Sequence, residues 1–199
     1  METQKALTAR IEKEHPRKPG EDRLSKKILA LMVELGELAN EWRGFKFWSN
    51  DKNPRTLIHV PCELCYGTGF DRYENGMYDY DVPCPECHGK QVLVKYPLLE
   101  EYVDCLHFIL DIWMERGFEG RTWNLSAVEG LKQSNITDQF SYLFSKIGDF
   151  NMIRNHNNYM YIVPLFIGLG EMLGFTWKEI EQAYYKKNEI NFQRQDNSY

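Results

Sequence analysis

The sequence has no excess of basic charge. Its 199 residues carry 24 Lys and Arg against 29 Asp and Glu, a formal net charge of −5. Proteins that live on the phosphates of long nucleic acids usually show the opposite balance, so nucleic acid is disfavoured as the main partner. Any phosphate bound here belongs to a small molecule recognised locally. A long apolar run is also missing. The longest, Tyr159 to Phe175, is broken by Pro164 and Glu171 and is too short to span a bilayer. The opening METQKALTARIEKEH alternates charged with apolar residues and lacks the apolar stretch of a signal peptide. A cytoplasmic protein without membrane contact is expected. Internal repeats and low-complexity tracts are absent, and Gly (14) and Pro (8) are at ordinary levels, which excludes collagen-like and disordered classes.

What is present suffices for one core. At 43% hydrophobic and 14% aromatic residues, the chain fits one domain, or one domain with a small insertion. The pattern is helical at both ends. Thr3 to about Glu14 is amphipathic, and a basic breaker follows at His15–Gly20. From about Asp22 to Trp42 the chain reads as a helix apolar on nearly every side, with Gly44 placed to cap its end. Pro97 opens a further helix that stops before Gly117. Residues 118–135 read as loop, and helices are expected at Thr137–Phe150 and Asn157–Phe175. The last helix opens on Thr176-Trp-Lys-Glu179, a capping-box pattern, and runs to about Gln193. Residues 50–96 differ: Pro54, Pro61, Pro83 and Pro85, the turn Glu74-Asn75-Gly76, and β-like runs at Thr56–Val60 and Gln91–Tyr96 mark a small β-rich insertion. The expected organisation is a helical catalytic bundle of residues 1–49 and 97–199, interrupted by an insertion at 50–96.

Two acidic doublets carry the chemistry. Glu34 and Glu37 stand three apart on the second helix, and Glu101 and Asp104 repeat that spacing after Pro97. Set among apolar neighbours, four carboxylates facing a bundle interior need a counter-charge, and Mg²⁺ favours carboxylate oxygens together with substrate phosphates. The alternative, doublets on solvated helix edges, has equal standing on spacing alone. On the last helix Lys187, Asn191 and Arg194 fall at i, i+4 and i+7, one face suited to a phosphate chain or a polar base edge, with Gln195 and Tyr199 extending it. The plainer reading of that face is a solvated basic helix end.

Four of five cysteines form Cys62-Glu-Leu-Cys65 and Cys84-Pro-Glu-Cys87, separated by 18 residues, with Gly67, Gly69 and Gly89 following. Two such knuckles are a strong signature of one structural Zn²⁺. The first pair also resembles the zinc module of J-domain co-chaperones. Cys84-Pro-Glu-Cys87-His88 formally matches a haem attachment site, but that chemistry belongs to exported proteins. A redox CxxC would not explain two pairs. Cys105, in a helical pattern, reads as a small buried hydrophobe.

VELGELANEWRGFKFWS (Val33 to Ser49), EEYVDCLHF (Glu100 to Phe108) and LGFTWKEIEQAYYKKNEINFQRQ (Leu173 to Gln195) closely resemble the dimeric, all-α dUTP diphosphatases. These are relatives of the MazG-type nucleotide pyrophosphohydrolases, often found in phages and Gram-positive bacteria. The resemblance covers about residues 1–49 and 97–199. It implies an all-α bundle, a homodimer, and hydrolysis of dUTP, with dUDP as a second substrate, to dUMP and, from dUTP, pyrophosphate. It further implies that Glu34, Glu37, Glu101 and Asp104 hold two or more Mg²⁺, with Glu34 or Glu37 as general base. Lys187, Asn188, Asn191, Arg194 and Tyr199 would engage substrate, Gln4 would contact the uracil, and Trp48 would line the pocket or fill a core or dimer interface. His107, one turn beyond Asp104, reads as a packing histidine. One departure is Ser198, where the family pattern has Gly before the final Tyr. The alternatives are a related pyrophosphohydrolase acting on another nucleotide such as dCTP, and a zinc-module binding protein built on a helical scaffold. The insertion is also expected to offer a surface for a protein partner.

Overall fold

The computed structural model describes residues 2–118 and 124–196. Its fold is the expected all-α bundle with a small β-containing segment. The helices are α1 (Glu2–Glu14), α2 (Arg23–Trp42), α3 (Pro97–Glu115), α4 (Ile136–Met152), α5 (His156–Met172) and α6 (Trp177–Asp196). A 3₁₀ turn, Leu125–Ala127, lies in the loop before α4. The strands are β1 (Ile58–Pro61), β2 (Phe70–Arg72), β3 (Tyr78–Pro83) and β4 (Val92–Lys95). The chain divides into two compact units, residues 1–54 with 99–199, and residues 55–98. No single helix among the described residues is long and apolar enough to cross a membrane.

In the helical unit, α2 buries one stripe, Leu24, Ile28, Leu31, Leu35 and Leu38. Leu29 and Val33 are exposed, so the helix is not buried on all sides. Asp22 caps it, its carboxylate accepting from the Ser25 amide at 3.0 Å. The left-handed residue at the other end is Arg43, not Gly44. A buried guanidinium holds it there: Arg43 Nη2 reaches Asp51 Oδ2 at 3.0 Å and Nε reaches the Asp51 carbonyl at 3.0 Å. Gly44 serves a different need, since a Cβ there would lie 2.3 Å from the Trp42 ring.

Helix α5 is buried nearly all round, as its composition requires. Gly168 and Gly170 let other parts approach closely: a Cβ at the first would meet the Leu131 carbonyl at 2.2 Å, and at the second the Tyr102 hydroxyl at 2.5 Å. Tyr102 of α3 stacks on Phe166 with ring centroids 4.2 Å apart. Pro164 inside α5 has no N–H to give, and its carbonyl accepts from the Leu131 amide at 2.8 Å. The capping box of α6 is formed in both directions, Thr176 N to Glu179 Oε2 at 2.8 Å and Glu179 N to Thr176 Oγ1 at 3.3 Å. Cys105 is fully buried, as expected of a small hydrophobe.

In the 55–98 unit, β1 pairs antiparallel with β4 and β2 with β3. The first pair joins the two β-like runs seen in the sequence. The second is the hairpin around Glu74-Asn75-Gly76, whose middle residue takes the Met77 amide on its side chain at 3.0 Å.

Gln139 of α4, fully buried, is the polar tie of the helical unit. Its Nε2 donates to the carbonyls of Leu131 (2.8 Å) and Leu165 (2.6 Å), and its Oε1 accepts from Gln133 N at 2.6 Å. Gln139→Leu should lower unfolding stability by about 2–4 kcal/mol, because it orphans buried backbone groups. Denaturant titration measures this, and a loss under about 0.5 kcal/mol would show that these bonds carry no net stability.

Candidate active site

Helices α1, α2, α3 and α6 frame a cavity of about 220 Å³ whose lining includes Gln4, Glu34, Asp104, His107, Lys187, Asn191 and Arg194. Two of these helices supply the acids. Oxygens of Glu34, Glu101 and Asp104 all lie within 4.8 Å of one another, each side chain half-buried. Each sits beside a residue of the buried stripes, Leu35 on α2 and Tyr102, Val103 and Cys105 on α3, so rigid packing holds the carboxylates together.

The charge is under strain. Burial, then Asp104, Glu37 and Glu34, push the Glu101 carboxyl up to about 7. Burial, then Asp104 and Glu37, raise Glu34. Asp104 is raised as well, by burial above all, although the Lys187 ammonium 2.5 Å from its Oδ2 and the nearby Arg194 pull the other way. One lysine does not offset three converging acids, and hard oxygen donors in this state suit a divalent cation.

A polar relay closes the other side. Gln4 Oε1 accepts from the Tyr184 hydroxyl at 2.8 Å and lies 2.7 Å from His107 Nδ1. His107 stacks on Tyr184 at 4.4 Å, and burial, then Lys187, lower its pKa to about 4. With Tyr184 already donating to that oxygen, the neutral ring donates from Nδ1. The relay thus fixes Gln4 at the junction of α1, α3 and α6.

A family model described as dUTPase matches residues 1–67 and 90–199. The chain belongs to the dUTPase family. Its activity is the hydrolysis of dUTP. No curated protein and no solved structure matches the chain. The family match is wider than the sequence resemblance: it runs past Ser49 to residue 67 and resumes at 90, leaving out only 68–89.

Within this dUTPase-family bundle, Gln4, Glu34, Glu101, Asp104, Lys187, Asn191 and Arg194 are gathered at the cavity or at its acidic cluster. Glu37 is exposed and outside the group of oxygens within 4.8 Å, yet near enough to raise both Glu34 and Glu101. Asn188 does not line the cavity. One residue on from Lys187, it is rotated off the 187–191–194 face and is buried beside Tyr184. Trp48 is not brought to the cavity either. It is 65% exposed and packs edge-on against Phe45 and Phe47 in the turn after α2. Tyr199 lies outside the described residues. Sequence reasoning missed Tyr184, Phe108 and Asp111, and gave His107 only a packing role. The signal was there: 104, 107, 108 and 111 share one face of α3, and 184 precedes Lys187 by one turn.

The raised carboxyls set a pH dependence. Glu101 in the folded protein holds its proton up to about 7, against 4.5 ordinarily, so the stability from this group is complete below 4.5 and disappears as pH rises through 7. The buried neutral His107 acts oppositely between about 4 and 6.5, so a variant is needed to separate them. In chelator, Glu101→Gln should gain thermal stability over the unsubstituted protein as pH rises from about 5 to about 8. A constant difference across that range would contradict the charge clustering.

Proposed function

We propose that the protein hydrolyses dUTP to dUMP and pyrophosphate in a Mg²⁺-dependent reaction, with dUDP as a second substrate, lowering dUTP and supplying dUMP. The observation that carries the metal dependence is the half-buried convergence of Glu34, Glu101 and Asp104, each carboxyl raised from its ordinary value by burial first. These three, with Glu37 at their edge, would hold two or more Mg²⁺. Bound there, Mg²⁺ would neutralise the charge of the phosphates under attack.

The chain's own residues do the rest. Lys187 and Arg194 provide charge-assisted contacts to phosphate oxygens, and Asn191 offers an amide on the same face. Gln4, held by His107 and Tyr184, presents its amide to the uracil. Glu37 is the general base that takes the attacking water's proton. What favours it over Glu34 is its place outside the tightest group of oxygens, which leaves a lone pair for that proton. A base needs proximity and an available lone pair before it needs a tuned pKa.

The reading includes a cytoplasmic homodimer. The exposed apolar side chains Leu29 and Val33, one turn apart on α2, and Phe47 with Trp48 support the dimer. In this scheme Trp48 is a substrate contact through the partner subunit, and Asn188 and Tyr199 are contacts proposed on the sequence resemblance. Exposed Tyr66, Tyr73, Met77 and Tyr80 support a protein partner for the 55–98 unit. The zinc expected on the cysteine tetrad takes no part in the reaction.

Purified protein with Mg²⁺ and a panel of deoxynucleotides should convert dUTP, in preference to dCTP or dTTP, to dUMP and pyrophosphate, resolved by chromatography. Release of orthophosphate alone, or preference for another base, would overturn the reading. Glu37→Gln and Asp104→Asn should keep their circular dichroism and lose roughly 10²–10⁴-fold in turnover at saturating Mg²⁺. Near-normal rates in either would remove that residue from the site. Lys187→Ala and Arg194→Ala should each lose about 1.5–3 kcal/mol of transition-state binding, read from kcat/KM. Unchanged kinetics in both would make this face of α6 a solvated surface.

A further inference from the structure

Four buried nucleophilic side chains take no part in dUTP hydrolysis. Cys62, Cys65, Cys84 and Cys87 are at most 2% exposed, and their sulfurs all lie within 4.8 Å of one another. Cys62 Sγ is 3.8 Å from Cys84 Sγ, and Cys65 Sγ is 3.7 Å from Cys87 Sγ. An ion with four sulfurs at about 2.3 Å in a tetrahedron sets them about 3.8 Å apart. The two separations match the edge length of such a tetrahedron. They are far beyond the bond of about 2.05 Å in a disulfide, and all four thiols are free.

The backbone is built to the same end twice. After Cys65, Tyr66 and Gly67 are left-handed (φ 52 and 77), and after Cys87, His88 and Gly89 repeat this (φ 49 and 80). Thr68 and Lys90 donate their amides to the carbonyls of Cys65 and Cys87, at 3.1 and 2.9 Å. The Gly69 amide donates to Cys65 Sγ at 3.3 Å, a bond that favours thiolate over thiol. The knuckles are also cross-tied: Cys62 N donates to the Gln91 carbonyl at 2.9 Å and Cys84 N to the Gly69 carbonyl at 2.8 Å. A left-handed Tyr and a left-handed His are disfavoured conformations, and surroundings must hold them in place.

Apolar packing does not supply that hold. The buried hydrophobic cluster of this unit is the four cysteines themselves, with Leu93 partly buried against them. So small a segment without a core of its own needs a staple. The family match leaves out residues 68–89, which contain Cys84 and Cys87, so membership of the family does not account for the tetrad.

We propose that Cys62, Cys65, Cys84 and Cys87 hold one Zn²⁺ as thiolates in a closed tetrahedral site, and that this ion is what keeps residues 55–98 folded. Soft thiolates select zinc over the hard cations suited to the carboxylates. Four protein ligands leave no open position for substrate or water, so the ion is structural. Binding releases the thiol protons to solvent, including the one Cys62 donates to Glu86 Oε2 at 3.1 Å, and the exposed Glu86 turns outward.

The test uses the full chain. Metal analysis should find about one zinc per chain, and Co²⁺ exchanged into the protein should give the intense visible bands of a tetrahedral tetrathiolate centre. Stripping the metal with a thiol-reactive mercurial and chelator should open residues 55–98 to limited proteolysis while fragments of the helical unit persist, and returning Zn²⁺ should restore protection. Cys65→Ser and, separately, Cys84→Ser should lose the cobalt bands. Thiols that titrate as free in protein purified with zinc, or cobalt spectra unaffected by both substitutions, overturn the site. Unchanged protease resistance after zinc removal overturns its structural role.

Discussion

Holding Glu34, Glu101 and Asp104 within 4.8 Å of one another in a half-buried cleft works against electrostatics. Left to themselves, like charges in partly desolvated surroundings separate or take up protons. The bundle permits neither separation nor full solvation. The carboxylates stand on α2 and α3 at the edge of the buried stripes, beside Leu31, Leu35, Val103 and Cys105, which enter the core. Turning the acids apart would pull those side chains out of close packing. The energy stored in this arrangement is available to whatever cation enters, which is why a scaffold of ordinary apolar residues can prepare a strong site for a hard ion.

The cationic and polar elements follow from the same constraint. Lys187 approaches Asp104 because α6 crosses the acidic cleft, and one ammonium leaves the cluster acidic enough to bind more positive charge. Across the cavity, α1 brings Gln4 to His107 and Tyr184. Burial keeps that histidine neutral, so the relay adds no charge of its own to the acidic cleft. Acids, cations and a neutral amide are thus sorted onto different helices around one space.

Much of this was legible in the chain. The three-residue spacing of 34/37 and 101/104 and the face of 187, 191 and 194 follow from helical periodicity, which is strongest in long, well-capped elements such as α2 and α6. Capping by Thr176 was readable for the same local reason. Less legible were features set by tertiary contact. Whether Glu37 joins the cluster depends on the tilt of α2 against α3, and Trp48 sits in a turn whose direction rests on the Arg43–Asp51 bond. That bond also made Arg43, not Gly44, the left-handed cap. The hairpin of β2 and β3 was too short for its alternation to stand out, although its turn was visible. His107 read as packing because it is packing: stacking on Tyr184 and facing the cavity are one placement.

The two cysteine knuckles and the acidic cleft present contrasting donor chemistry in one chain, soft sulfur in residues 55–98 and hard oxygen in the helical unit. The claim on which the functional reading turns is that the acidic cleft is a divalent-cation site. Its most direct measurement is Mn²⁺ binding followed by electron paramagnetic resonance, on the unsubstituted protein and on Glu101→Gln. The account predicts loss of the free Mn²⁺ signal on titration into the first, and affinity weakened about tenfold or more in the second, since a ligand's charge is removed. Equal Mn²⁺ affinity in the two proteins would contradict it.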